Sequence, residues 1–200
     1  MEFYHNLITE KSWQELKALN KALGDFVLIG GWAIYLYTKA LKSKDIDILV
    51  NFESLELLSK RYDFYKNERL KKYEAVRGEV QIDIYLPHYS AIGIPVEDLM
   101  LKTKTLEGFK VLLPEYLLAL KIVTLSERGR SSKGRKDFID ALALVKSGKA
   151  DYKKAANLLG QYQLESKVAT FKDMLGENTD LPELNLNKHA YSKLRKMITA

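Results

Sequence analysis

The stretch Ser43–Val50, SKDIDILV, sets two carboxylates, Asp45 and Asp47, among isoleucines in a run that otherwise reads as a buried strand. The pattern recurs in VQIDIYLP, where Asp83 stands between Ile82 and Ile84. Successive side chains of a strand point to opposite faces, so the acids share one face and the isoleucines the other. Alternation of this kind is also how an ordinary half-buried strand meets water. Aspartate is depleted in strands, however, and two of them at this spacing repel each other. A divalent cation relieves that repulsion: carboxylates converging on magnesium neutralise one another, and a third from a neighbouring strand completes a site for one or two ions.

Composition decides which chemistry such a face can carry. The 200-residue chain has no cysteine and only three histidines, His5, His88 and His189, scattered along it. Disulfides, thiolate metal sites and thiol nucleophiles are excluded, a histidine-rich centre is disfavoured, and hard, oxygen-bound cations remain. An apolar content of 46% is that of a globular protein, enough for one fair-sized core or two small units. No apolar run is long enough to span a bilayer, and the opening MEFYHNLITEKSW lacks a signal-peptide pattern, so a cytoplasmic protein with no membrane partner is expected. The net charge of +6 suits a polyanion such as a nucleotide or RNA, although lysine-rich surfaces also serve solubility.

A second element precedes the acids. FVLI, Phe26 to Ile29, reads as a strand broken by Gly30 and Gly31, after which WAIYLYTKAL continues with helical spacing. A glycine turn leading from strand to helix lets backbone N–H groups approach a phosphate while the helix N-terminus adds positive potential. The third glycine of a dinucleotide fingerprint is missing, Ile34 standing in that region, and so is the Gly-Lys-Ser/Thr of a P-loop. A plain conformational turn is the remaining alternative.

Around these motifs the spacing predicts a helix over Ser12–Leu23, with Ser12 and Glu15 as a capping box and Gly24 as its stop. A helix over Ser54–Tyr65 follows the Asp-x-Asp strand. KKYEAVRGEVQIDIYLP reads as a hairpin turned at Arg77-Gly78. A short helical turn after Pro95 leads to a strand pair turned at Gly108. From Pro114, itself suited to a first helical turn, EYLLALKIVTLSERG, KGRKDFIDALALVKSG, DYKKAANLLG and LESKVATFKDMLG all carry helical spacing. The aromatics Trp32, Tyr35 and Tyr37 are expected to pack or support the sheet rather than stack on a base.

In this order, GGWA (Gly30 to Ala33), DID (Asp45 to Asp47), IDIY (Ile82 to Tyr85), and then LPEYLLALKIV, SERGR and GRKDFIDALAL resemble the nucleotidyltransferase superfamily that includes DNA polymerase beta. More narrowly, they resemble its small prokaryotic members of the abortive-infection toxin type, over about Phe26–Leu144. The resemblance implies an α+β fold: a nucleotidyltransferase-like mixed sheet flanked by helices in residues 1–113, followed by a helical C-terminal region, 114–200, packed on that core. It implies a magnesium-dependent enzyme, two ions being expected. Such an enzyme transfers a nucleoside monophosphate from an NTP to an acceptor hydroxyl on RNA (a tRNA end, for instance), a protein or a small molecule, and releases pyrophosphate. A cognate partner protein of a toxin–antitoxin pair is implied too.

Carried across by residue, the resemblance makes Asp45, Asp47 and Asp83 the catalytic, metal-binding acids, with Asp83 also orienting or deprotonating the acceptor. Gly30 and Gly31 hold the triphosphate, and Lys121 meets phosphates. The chain has Gly-Gly where most members have Gly-Ser. Before the acids it has Leu41 and Ser43 where the toxins carry Arg-x-Thr, so Ser43 keeps a hydroxyl, and Lys42 or Lys44 is left to supply the charge. These departures motivate an alternative: a catalytically silent nucleotide- or RNA-binding module, one partner of a two-component system, on the same fold. The basic segment Glu127–Lys136 is either a solvated interhelical loop or a phosphate or RNA contact through Arg128, Arg130 and Lys136. Asp137 and Asp140 on the following helix either face water or position these bases, and Asp137 is expected near that helix's start, where the dipole favours it.

Overall fold

The computed structural model describes residues 6–199. Residues 1–5, part of the opening stretch read above for a signal pattern, lie outside the described residues. The chain divides into two compact units, one ending at Leu113 and the other running from Pro114.

In the first unit, β1 (Val27–Ile29), β2 (Ile46–Leu49), β3 (Asp63–Asn67), β4 (Lys72–Arg77), β5 (Val80–Tyr85), β6 (Thr103–Leu106) and β7 (Phe109–Leu112) form one sheet in the order β3-β4-β5-β2-β1-β7-β6. The pairs β2–β5 and β1–β7 are parallel and the rest antiparallel, which makes it the expected mixed sheet. Among the described residues four helices accompany it: α1 (Asn6–Leu23), α2 (Gly30–Thr38), α3 (Glu53–Ser59) and α4 (Val96–Met100). The register aligns Ile46 with Ile82 and Ile48 with Ile84, and all four are fully buried. Each such side chain contributes about 1.5–3 kcal/mol of burial free energy, so a slip by one residue would bring the acids into the core and is strongly disfavoured.

Both hairpins turn where the sequence puts them. Between β6 and β7 the loop residues Glu107 and Gly108 have φ of 50° and 82°, the left-handed pair that a two-residue turn between twisted strands requires.

Two expected elements are corrected. The chain is already helical at Asn6, so Ser12 lies inside α1 and is no cap. Ser12 is fully buried, and its hydroxyl accepts a hydrogen bond from Trp32 Nε1 at 2.8 Å, satisfying an indole N–H that is buried among Trp13 and Tyr35. The helix expected over Ser54–Tyr65 stops at Ser59, and Asp63–Asn67 becomes edge strand β3. Its residues pair with β4 from Asp63↔Val76 to Asn67↔Lys72, and an aromatic-rich segment beside an open sheet edge gains more from that ladder than from two further helical turns. As expected, Trp32 and Tyr37 pack: both are buried, and the Tyr37 hydroxyl donates to Leu112 O at 3.0 Å.

The second unit is helical. It contains α5 (Pro114–Arg128), α6 (Ser132–Lys146), α7 (Tyr152–Gln161), α8 (Val168–Glu177) and α9 (Lys188–Thr199). Ser131 caps α6 and Asp151 caps α7 through side-chain acceptors on early N–H groups. Phe138 of α6 and Phe171 of α8 meet in the core with ring centroids 5.7 Å apart. Helix α9, beyond the periodic segments named above, is fastened by buried Tyr191, whose hydroxyl donates to Leu175 O at 3.0 Å. No described helix is long and apolar enough to cross a membrane.

Candidate active site

Strand pairing brings the acids of the first unit into one row. Asp47 of β2 is in register with Asp83 of β5, Asp83 with Glu74 of β4, and Asp47 on its other side with Ile29 of β1. Registered residues on adjacent strands put their side chains on one face about 5 Å apart, so two chain segments distant in sequence contribute neighbouring carboxylates. Asp45, just before β2, lies two residues from Asp47 and is half-buried.

The glycine turn touches this row directly. Gly30, which follows Ile29, has φ of 64°, and a Cβ built on it would lie 2.0 Å from Asp47 Oδ2 and 2.6 Å from its Cγ. Only hydrogen fits there. The carboxylate of Asp47 therefore rests against the first turn of α2, where the N-cap residue Ile29 offers no side-chain acceptor and a negative charge complements the helix dipole. Gly30→Ala forces a strained left-handed alanine and pushes Asp47 aside. We expect an unfolding temperature lower by about 2–8 °C in a thermal melt, together with loss of nucleotide binding in calorimetry.

Asp83 is held from below by residues the sequence reading did not single out. Lys72 Nζ lies 2.6 Å from Asp83 Oδ2 and 3.1 Å from Glu74 Oε1, while Gln81 Nε2 donates to Asp83 Oδ1 at 2.8 Å. The Lys72 side chain is 9% exposed and that of Asp83 15%. Burial pulls the Lys72 ammonium down, but the hydrogen bonds and charges of Asp83 and Glu74 outweigh it and hold the group above the ordinary lysine value. Glu74 is likewise held below the ordinary glutamate value: burial raises it, and hydrogen bonds from Asn67 and Lys72 more than offset this. The available signal was K-Y-E in β4, whose period of two sets Lys72 and Glu74 on one face.

Carboxylate oxygens on registered strands are the hard donors that magnesium takes, so the residue types and their register fit a divalent ion. Among the described residues, no group of three or more acids and histidines converges into a finished metal site. Ser43 is buried and Lys44 half-buried just ahead of these acids, and Lys42 pairs with Glu10 at 3.7 Å.

The second unit gathers most of the other singled-out residues. Lys121 of α5 bonds Asp137 Oδ1 at 2.7 Å and Asp140 Oδ2 at 3.0 Å. Arg128, two turns along α5, bonds Asp137 Oδ2 at 2.8 Å, and Lys136 bonds Asp140 Oδ2 at 2.9 Å. Both aspartates are almost fully buried. Burial opposes the Lys121 charge, but the two carboxylates dominate and raise it well beyond the lysine range; burial likewise opposes the Asp140 charge, but Lys136 and Lys121 hold that carboxyl below the ordinary value. Asp137 lies beyond the first turn of α6, so ion pairing rather than the dipole accounts for it. Helix α5 reaches Arg128 and α6 starts at Ser132, so the basic segment is mostly helix rather than loop. Arg130 pairs with Glu177, Arg135 with Glu183 and Lys136 with Asp140.

A mixed sheet that brings paired carboxylates beside a glycine turn at a helix start defines a nucleotidyltransferase, a transferase enzyme. The family model described as "Nucleotidyl transferase AbiEii toxin, Type IV TA system" matches residues 16–199, and the chain belongs to that family. Among solved structures, the chain is similar in fold to JHP933 from Helicobacter pylori, with a TM-score of 0.55 and 15% identity, over 96% of this chain and 90% of that one. It is also similar to a candidate nucleotidyltransferase from Helicobacter pylori, with a TM-score of 0.56 and 15% identity, over 98% and 95%. The Megavirus polyadenylate synthase matches with a TM-score of 0.50 and 14% identity, over 74% of this chain and 34% of that one. No curated protein matches the sequence.

Proposed function

We propose that this chain transfers a nucleoside monophosphate from an NTP to an acceptor hydroxyl in the cytoplasm, with magnesium at Asp45, Asp47 and Asp83 and release of pyrophosphate. The observation that supports it most is the register of Asp47 with Asp83 next to a glycine whose missing side chain admits the Asp47 carboxylate. Asp45 and Asp47 supply the oxygens that hold the ions. Asp83 orients the acceptor hydroxyl and takes its proton once Lys72 has left one of its oxygens. The bound ions supply charge neutralisation on the triphosphate and the leaving pyrophosphate. Backbone N–H groups of Gly30 and Gly31 face phosphate oxygens at the start of α2, and Ser43 and Lys44 add a hydroxyl and a charge ahead of the acids.

The net charge of +6 favours an RNA acceptor, and the family's two-component character supports a cognate partner protein that restrains the activity. The test incubates the protein with each α-labelled triphosphate and either total RNA or a protein extract. Label entering RNA with one triphosphate, abolished by EDTA and restored by magnesium, is the expected result. Absence of label from every fraction together with no pyrophosphate release would sink the proposal.

A further inference from the structure

Among the described residues no three acids or histidines form a finished metal cluster, and a nearly buried lysine stands among the acids of the sheet. Lys72 reaches from β4 to Asp83 Oδ2 at 2.6 Å and to Glu74 Oε1 at 3.1 Å, with its side chain only 9% exposed. Gln81 occupies the other Asp83 oxygen. Both oxygens of the one acid contributed by β5 are therefore engaged by Lys72 and Gln81, and Asp83 is in register with Asp47. Glu74, Asp83 and Asp47 stand in register on adjacent strands, and Lys72 places one ammonium against two of these three carboxylates. A monovalent ammonium and a divalent ion close to the same carboxylate repel each other strongly in a partly buried site, where the effective dielectric is well below that of water.

Building on the reading of Asp83 as a metal ligand, we infer that Lys72 is a tethered counter-cation. It neutralises Asp83 while the site holds no metal, and it must release that carboxylate when a divalent ion binds. Lys72 is thus a positioning residue that sets the affinity for the ion: it holds the acid row together in the empty enzyme and weakens metal binding until nucleotide arrives with its own magnesium. A lysine suits the task because its ammonium sits on a flexible four-carbon stem and can swing away, leaving Glu74 as its remaining partner.

The experiment compares the full-length wild type, Lys72→Met and Lys72→Arg by MnCl2 calorimetry and by thermal melts with and without MgCl2, all without nucleotide. Lys72→Met should bind manganese about tenfold tighter than wild type, since the competing charge is gone. It should melt lower than wild type without metal and gain more from magnesium, whereas Lys72→Arg, which keeps a cation, should stay near wild type. A purely structural lysine would lower the melting temperature equally with and without metal and leave manganese affinity unchanged, which would overturn the inference while leaving the metal site intact. If no variant binds manganese or responds to magnesium, both the inference and the metal-dependent reading fail. A second measurement needs no variant. In wild type, acetic anhydride labelling of Lys72, read by mass spectrometry against exposed Lys60, should rise several-fold at a magnesium concentration that shifts the melt. Unchanged labelling there would also overturn the inference.

Discussion

Asp47→Asn should reduce nucleotide transfer by about a thousandfold while leaving the fold and the melting temperature nearly unchanged. The exchange keeps shape and volume, so the side chain still fits against Gly30, where the wild-type Oδ2 leaves no room for a Cβ. What disappears is one negative charge next to Asp83. A bound divalent ion contributes several kcal/mol of charge stabilisation to the transition state, and about 4 kcal/mol corresponds to three orders of magnitude in rate. Single-turnover transfer from a labelled triphosphate, with circular dichroism as the folding control, measures it. Transfer within tenfold of wild type would remove Asp47 from the chemistry.

The largest effect on stability is expected at Asp140. Its side chain is 1% exposed and accepts from Lys121 at 3.0 Å and Lys136 at 2.9 Å. Asp140→Ala withdraws a negative charge from a group of three cations, the nearly buried Lys121 and Lys136 and the exposed Arg128, and two buried acids, Asp137 and Asp140. Breaking a buried pair from one side costs about 3–5 kcal/mol, because the cation left behind has lost water without keeping its partner. For a chain of this size that lowers the melting temperature by roughly 10 °C or more. A shift below about 2 °C would mean that Lys121 and Lys136 find other partners.

The same pair makes stability depend on pH. Because the folded carboxyl of Asp140 is held below its unfolded value, its contribution is fully present above about pH 4 and is lost as pH falls through the lower folded value. Wild type should therefore lose stability more steeply below that pH than Asp140→Ala, which no longer has this contribution to lose. Melts in a buffer series from neutral to strongly acidic pH measure the difference in slope.

Patterns with a short period carried most of what the sequence made legible. The isoleucines flanking Asp47 and Asp83 fixed which face of each strand is buried, and the sheet keeps that assignment in the registered Ile46–Ile82 and Ile48–Ile84 pairs. The hairpins at Gly78 and Gly108 and the helix stop at Gly24 follow from local chemistry. The pairing of Lys121 with Asp137 and Asp140 does not, because it joins α5 to α6, and the residues alone left those acids either facing water or positioning the basic segment. Local patterns also misled. The spacing of Ser12 and Glu15 imitates a cap, yet the indole of Trp32 claims the Ser12 hydroxyl. Tyr62–Tyr65 continues a helical pattern, yet the open edge of β4 draws Asp63–Asn67 into a strand.

By itself, then, the sequence determined the alternation of acids and isoleucines, the glycine break before a helix and the helical second half, because each depends on neighbours within a few residues. Only the tertiary structure decided that Asp47 faces Asp83, that the Asp47 carboxylate fills the space above Gly30, and that Lys72 reaches Asp83. Each of these contacts joins separate strands, and strand pairing is set by the burial of whole faces and by ladder hydrogen bonds, quantities that no single segment carries.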